Sequence, residues 1–387
     1  MGKKPRPKPN PNSHKRLRRD AVNSWSNLPS DLLASVYERL GFVDLQRAKS
    51  VCPSWHYASR RFVPKCHIIP WLFILPKNNK NNSFTFFNPQ EKEKLYRTQD
   101  LGVEFAESVC RATYGSWFLM QYPRRYNLCM VNIFTNEKIN LPPVEYQLGT
   151  TKIERTKDDG FRILGHDGRE TRRMNIRSPV FWIDGKSKDY IVLWGLSGLC
   201  VVYSKNGDTS WSQIPKSSDC YHMVYKDHKL YFLTSKVDGL KIFDFSEHFR
   251  REAFHGSIST PIYSNGTKLV VTVSGDVLKV KRMFDSWSGN SFTIYKVYSS
   301  LGFLEDHEEV DSLGDEAMLL DQGITVPAND IEGIKRNSIY FIGNLDKNTT
   351  DISVFDLETQ KTELIHKFDC SSYQLSNARW FFPYQVS

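Results

Sequence analysis

Few residues in this 387-residue sequence stand where they could do chemistry. Gly195-Leu196-Ser197-Gly198 comes nearest to a nucleophile motif, because a serine on a sharp glycine-flanked turn can expose its hydroxyl to a carbonyl. That motif needs a strand before it and a helix after it. Here strand-like runs lie on both sides, Tyr190 to Trp194 and Leu199 to Tyr203, so the expectation is a hairpin turn. Glu305-Asp306-His307-Glu308-Glu309 with Asp311 collects carboxylates and an imidazole as a metal site would. Adjacent carboxylates in a loop more often repel and stay solvated, and the spacing of a calcium loop is absent. The seven cysteines form no CxxC pair and no zinc-like spacing with histidine. They read as reduced, mostly buried small side chains of an intracellular protein. HExxH, P-loop and strand-following GxGxxG signatures are missing too. The sequence reads as non-catalytic, with no catalytic residue, metal ligand or cofactor site expected.

Charge is the remaining chemistry. The formal net charge is +9, but residues 1–20 hold eight Lys or Arg and one Asp, which leaves 44 basic against 42 acidic residues beyond them. A body this close to neutral argues against a nucleic-acid partner, which would need clustered positive charge in the folded part. Prolines and like charges should keep residues 1–24 disordered. Their two basic clusters, the second carrying Lys15, Arg16, Arg18 and Arg19, fit a nuclear-localisation signal. The expected location is the nucleus, the cytoplasm or both. No apolar run approaches the roughly 20 residues that cross a bilayer, so no membrane is expected. The longest, Ile68 to Leu75, is broken by Pro70.

Residues 25–64 read as three short helices. Leu28-Pro29-Ser30-Asp31 starts the first, with Pro29 in the first turn and Asp31 at the positive end of the dipole. Leu32, Leu33, Val36 and Leu40 follow on one face, and Gly41 supplies the stop. A second helix follows Asp44, with Leu45, Ala48, Val51 and Cys52 in register; Pro53 ends it and opens a third, carrying Trp55, Ala58 and Phe62. So small a unit cannot bury all this apolar surface within itself, which calls for a partner.

Residues 65–387 read as β structure throughout. Aromatic residues make up 13% of the chain, and they favour strands. Apolar runs such as Lys229 to Thr234, Gly239 to Phe245, Lys268 to Val273, Asn337 to Ile342 and Asp351 to Leu357 recur at short intervals between turn signals. One unit repeats: a strand ending in an aromatic residue, then a polar turn. It appears in Phe86-Phe87-Asn88-Pro89-Gln90-Glu91, Val131-Asn132-Ile133-Phe134-Thr135-Asn136, Lys241-Ile242-Phe243-Asp244 and Val354-Phe355-Asp356-Leu357-Glu358-Thr359. Repeats of this length indicate the blades of a propeller. The fold class expected is mainly β: three N-terminal helices and a propeller of about six or seven blades.

The string Leu28-Pro29-Ser30-Asp31-Leu32-Leu33, then Val36, Arg39-Leu40, Asp44-Leu45, Arg47-Ala48, Ser50-Val51-Cys52 and Trp55, resembles the F-box. The resemblance implies docking onto a Skp-type adaptor and, through it, a cullin. It makes Leu28, Pro29, Leu32, Leu33, Val36, Leu40, Leu45, Val51 and Trp55 the candidate adaptor contacts or the small core beneath them. Leu28 and Pro29 come first for direct contact, and Trp55 for internal packing. Pro53 departs from the Lys or Arg that many F-boxes carry there, and should shorten the second helix.

The later part resembles plant F-box proteins with a C-terminal KIB-type propeller. Ser178-Pro179-Val180-Phe181-Trp182, Tyr231-Phe232-Leu233, Val310 to Ala317, Val326-Pro327-Ala328, Gly333, Asn337 to Phe341 and Arg379 to Pro383 carry that likeness. It implies a substrate-recognition subunit of a ubiquitin ligase whose target protein the family does not name. The alternative class is a nuclear scaffold or nucleic-acid-binding propeller using the basic tail and aromatic stacking, with no ligase role.

Overall fold

The computed structural model describes residues 25–40, 42–61, 70–76, 82–91, 94–98, 102, 105, 107–122, 126–158, 160–165, 168, 170–215, 217, 220–234, 239–246, 251–257, 267–285, 289–299, 308–328, 333–343, 351–369 and 373–383. The chain divides into two compact units, Met1–His67 and Ile68–Ser387. The basic tail, Gly41 and Phe62 lie outside the described residues.

In the first unit a 3-10 turn, Trp25–Asn27, leads to α1 (Ser30–Tyr37), α2 (Phe42–Lys49) and α3 (Pro53–Arg61). Two details differ from the sequence expectation. Pro29 stands just before α1 with φ −53° and ψ 146°, and serves it by accepting the Leu33 N–H at 3.0 Å. The second helix starts before Asp44 and ends at Lys49, leaving Val51 and Cys52 beyond it. Its end tightens through Ser50 N–H to Arg47 O and Val51 N–H to Ala48 O, the shorter bonding of a 3-10 turn. Pro53 disfavours helical geometry at Cys52, so the pattern that runs on in the sequence cannot run on in space. Pro53 then opens α3, where its missing N–H costs nothing.

The described strands of the second unit form six blades of a propeller. Blade one contains β1 (Trp71–Pro76), β2 (Thr85–Phe87) and β3 (Leu95–Arg97); blade two contains β4 (Val109–Tyr114), β5 (Trp117–Gln121), β6 (Leu128–Asn132) and β7 (Lys138–Asn140). A connection carries β8 (Gln147–Leu148) and a small sheet of β9 (Lys152–Arg155), β10 (Phe161–Leu164) and β11 (Glu170–Thr171). Blade three is β12 (Ile176–Ile183), β13 (Tyr190–Leu196), β14 (Cys200–Lys205) and β15 (Trp211–Gln213), with β8 on its outer edge. Blade four is β16 (Cys220–Lys226), β17 (Lys229–Thr234), β18 (Gly239–Asp244) and β19 (Arg251–Ser257). Blade five is β20 (Thr267–Val271), β21 (Val277–Asp285), β22 (Gly289–Tyr298) and β23 (Glu308–Glu309). Blade six uses β24 (Glu316–Leu319), β25 (Ile324–Pro327), β26 (Ser338–Ile342), β27 (Asp351–Asp356) and β28 (Lys361–Lys367), with the β24–β25 hairpin turned so that β25 lies innermost. The last strand, β29 (Tyr373–Phe381), returns to pair with β1 and becomes the inner strand of blade one.

Packing between blades explains the near-continuous apolar runs. On β17, Leu230 and Phe232 face a cluster with Ile191, Leu193 and Val201 of blade three, whereas Tyr231 and Leu233 face Leu269, Val271 and Val277 of blade five. A strand covered on both faces needs apolar residues at every position rather than at alternate ones. The same holds around the ring: blades two and three share one cluster, five and six another, six and one a third. Phe73 and Phe381 of blade one meet Phe118 of blade two at ring separations of 4.9 and 5.2 Å.

The repeated polar turn also has a physical cause. Asn88, Asn132, Asp244 and Asp356 each accept a backbone N–H two residues on, which turns the chain from a penultimate strand to its outer neighbour. In the unit Val131 to Asn136 the strand therefore ends at Asn132, before the aromatic Phe134, and the Asn132 side chain accepts from Phe134 and Thr135 at 3.0 and 3.2 Å. Asp356 accepts from Glu358 and Thr359 and pairs with Lys335. Its carboxyl is held down at about 2, first by Lys335 and next by the Thr359 N–H. That contribution is full above the unfolded value near 4 and is lost as pH falls toward 2. Asp356→Ala should cost about 2 kcal/mol, read as a lower urea midpoint, and Asp356→Asn, which keeps the acceptor, less.

The Gly195–Gly198 segment is the expected hairpin turn, with Leu196 paired to Cys200 and positive φ at Ser197 and Gly198. The Ser197 hydroxyl is engaged in structure: it donates to Arg173 O and accepts the Asn175 N–H, both at 3.1 Å. Of the acidic run, residues 305–307 lie outside the described residues, while Glu308 and Glu309 form the edge strand β23. The described cysteines form no disulfide, and Cys110, Cys129, Cys200 and Cys220 are buried.

Candidate functional site

Exposure divides the nine residues expected to serve adaptor docking. Leu33, Leu45 and Trp55 are buried, together with Tyr37 and Ala48. Tyr37 donates its hydroxyl to Trp55 O at 2.6 Å and meets the indole edge-on, with centroids 5.8 Å apart. The indole Nε1 donates to Trp25 O at 2.9 Å, tying α3 to the N-terminal turn. Trp55 is thus a pin of the small core. Leu28, Val36 and Leu40 are half-buried and Pro29 is exposed. Leu32 on α1 is 53% exposed and Val51 between α2 and α3 is 59% exposed. Adjacent helical positions differ by about 100°, so Leu32 turns outward where Leu33 turns inward. Two further exposed aromatics, Trp25 at 70% and Tyr57 at 59%, escaped the sequence reading, as did the buried Tyr37. Tyr37 was findable, lying one helical turn from Leu33. Lys15, Arg16, Arg18 and Arg19 lie outside the described residues.

The propeller offers a second site, a central channel of about 1200 Å³ lined by residues from β29, β4, β12, β16, β20 and β25. At the end where these strands turn outward lie Tyr114, Trp182 and Tyr225 beside the turn Lys226-Asp227-His228. Trp182 meets His228 edge-on at 4.9 Å, and Lys226 Nζ donates to Thr272 O and to Val273 O, the latter at 3.2 Å. Burial pushes the Tyr114 and Tyr225 phenols up, so both stay protonated donors. Arg111, Lys268 and Arg379 line the same channel from nearer the starts of their strands or beside a break in register. Buried His222 accepts the Leu269 N–H on Nδ1 at 3.3 Å. Burial and then the Lys268 charge drive its pKa well down, so it stands neutral. Gln322 reaches across to Thr113 Oγ1 at 3.2 Å and to Trp380 O. Gly323 beside it has φ +70°, and a Cβ there would lie 2.5 Å from Val224 Cγ2 and 2.8 Å from Leu269 O. The wall therefore requires glycine.

Residues 84–356 match the family described as KIB1-4 beta-propeller, and residues 25–67 match the F-box domain. The chain belongs to the F-box proteins with a KIB1-4 beta-propeller. In Arabidopsis thaliana, "Putative F-box protein At4g22180" is 54% identical over 392 residues, covering 96% of each chain. "F-box protein At1g69090" of the same plant is 38% identical over 404 residues, covering 93% of this chain and 92% of its own. Much of the sequence likeness to this F-box and KIB1-4 family sits on the channel wall: Ser178 to Trp182, Val326, Pro327, Arg379 and Phe382 all line it. Asn337 has a different duty. With φ 51°, it accepts from Ser312 Oγ at 3.1 Å and Leu313 N at 2.8 Å and holds the segment before β24. Arg111, Lys226 and Lys268 carried no local signal, because the channel's basic residues converge from separate blades.

Proposed function

We propose that this chain is the substrate-recognition subunit of an SCF-type ubiquitin ligase, a non-catalytic receptor that binds a Skp-type adaptor through its F-box and a target protein through its propeller. The observation that carries this reading is the exposure of Trp25, Leu32, Val51 and Tyr57 within one unit of some forty residues. Single exposed apolar residues are ordinary on a surface, but four in so small a unit are what an adaptor would cover. Membership of the F-box family supplies the partner class, and through the adaptor the cullin. The ubiquitin chemistry then takes place on other subunits. The basic cluster at Lys15–Arg19 is read as directing part of the population to the nucleus.

Co-purification of the full chain with a plant Skp-type adaptor and a cullin tests the reading. A stable ternary complex is expected, surviving gel filtration. Failure of the wild-type chain to bind any adaptor tried would remove the receptor role and leave the propeller's own partner as the question.

A further inference from the structure

Four successive inner strands of the propeller break register. On β4 the pairing jumps from Cys110↔Met120 to Ala112↔Leu119, so Arg111 has no partner across the ladder. On β12 it jumps from Arg177↔Gly195 to Val180↔Leu193, setting Ser178 and Pro179 against Trp194 alone, with Ser178 at φ 40°. On β16 it jumps from Cys220↔Thr234 to His222↔Leu233, which leaves Tyr221 as the extra residue. On β29 it jumps from Leu75↔Gln374 to Phe73↔Arg379, so Arg379 follows the irregularity directly. A bulge breaks the alternation of a strand and re-aims a side chain, and such features gather beside binding sites. Arg111, Ser178, Pro179, Tyr221 and Arg379 all line the channel.

Cations outnumber carboxylates there. The lining holds Arg111, Arg379, Lys226 and Lys268 against Asp227 and Asp321. Asp227 stands at the outward turn of β16, where Lys226 lies 3.8 Å from it. Asp321 accepts the Ile342 N–H at 3.1 Å. Arg111 Nε donates to the neutral Gln121 Oε1 at 2.5 Å, while Arg379 Nε donates to Arg111 O at 3.4 Å and Nη1 to Ala378 O at 2.7 Å. These contacts set the Arg379 guanidinium against the Arg111 backbone in a half-buried place. Burial and then the Arg379 charge both push the Arg111 pKa down, the mark of two cations in one site. A bound anion would relieve that repulsion, and guanidinium forks match planar or tetrahedral oxyanions.

We infer that this bulged end of the channel binds an oxyanion, a phosphate or carboxylate group, carried on a ligand whose apolar body extends toward Trp182 and Tyr225. The volume lies just above the range of small-molecule sites, about 300–1,000 Å³, so either a free molecule or an anionic side chain of a target segment fits the chemistry. All the residues belong to the propeller, so the inference holds whether or not the F-box docks an adaptor.

Calorimetric titration of the full chain with phenyl phosphate, and separately with the peptide Gly-Gly-phosphotyrosine-Gly-Gly, tests it. Binding of at least one probe is expected, weakened about tenfold or more in Arg111→Gln and in Lys268→Gln, and weakened by added salt. Arg336→Gln, which removes an exposed charge paired to Asp315 away from the channel lining, should bind as the wild type does. Tighter binding of the peptide assigns the anion to a target segment; tighter binding of phenyl phosphate assigns it to a free molecule. Should Arg111→Gln lose its cooperative melting transition, the half-exposed Lys268 carries the test. Binding of neither probe, or wild-type affinity in Lys268→Gln together with a folded Arg111→Gln, overturns the inference.

Discussion

Replacing Leu32 and Val51 together by aspartate is expected to weaken adaptor binding by two or more orders of magnitude while leaving the melting temperature of the free chain unchanged. Both side chains are already more than half exposed, so the free protein loses little by the change. In the complex each would be covered, and full burial of a Leu or Val side chain is worth about 1.5–3 kcal/mol. Because each is already about half covered in the free chain, losing both contacts removes roughly 1.5–3 kcal/mol, and the desolvation of carboxylates trapped in an apolar interface supplies the rest of the loss. Leu33→Ala and Trp55→Ala should behave differently. Those residues are core, and their loss should cost about 2–5 kcal/mol of stability in the unit itself. The pairing of measurements matters, because reduced binding alone cannot separate a missing contact from a missing fold. Pull-down affinity and thermal denaturation, run on the same preparations, make the distinction. If the double variant bound the adaptor at wild-type strength, docking would have to use another face, with Trp25 and Tyr57 the next residues to change.

The sequence was most legible where one residue's geometry is set by its neighbours. Lys229 to Thr234 reads as a strand and is one, because the five successive residues from Leu230 to Thr234 suit two covered faces. The Ser197 turn was legible for the same reason, since two strands joined by so few residues must form a hairpin. The repeated polar turn was visible as composition. Its cause, an Asn or Asp side chain standing in for a backbone acceptor, needs coordinates to see. The nine F-box residues were proposed as one set, which the sequence could not sort into exposed and core. Helical spacing groups Leu32 with Leu33, and only the packing of Tyr37 on Trp55 fixes which of the two turns inward. The channel was not legible. Arg111 and Arg379 stand 268 residues apart in the chain and meet because the last strand closes the ring, a consequence of topology that no local window contains. Register breaks add to this, since strict alternation would have aimed Arg111 and Tyr221 differently.

Ending the chain after Asp369 should abolish cooperative folding of the propeller. That truncation removes β29, which carries Ala378, Trp380 and Phe381, each at most 1% exposed. It also uncovers Leu72, Phe73 and Ile74 of β1, which are wholly buried in the closed ring. Large core side chains are worth about 2–5 kcal/mol each, so the loss is comparable with the whole stability of a typical domain, about 5–15 kcal/mol. The open edge of β1 would then present apolar side chains and unpaired backbone groups together, a template for aggregation. The expected readings are insoluble protein or a melting transition without cooperativity, and rapid proteolysis of blade one. Adding a synthetic peptide spanning residues 370–387 should restore part of the soluble fraction, because the β1–β29 pairing can then form between two chains. A truncated chain that melts cooperatively near the wild-type temperature would show that five blades and a partial sixth are self-sufficient. In that case β29 would serve the channel, by placing Arg379, more than the fold. Closure by the last strand also predicts slow folding, since Trp71 must wait for Phe381 before blade one is complete.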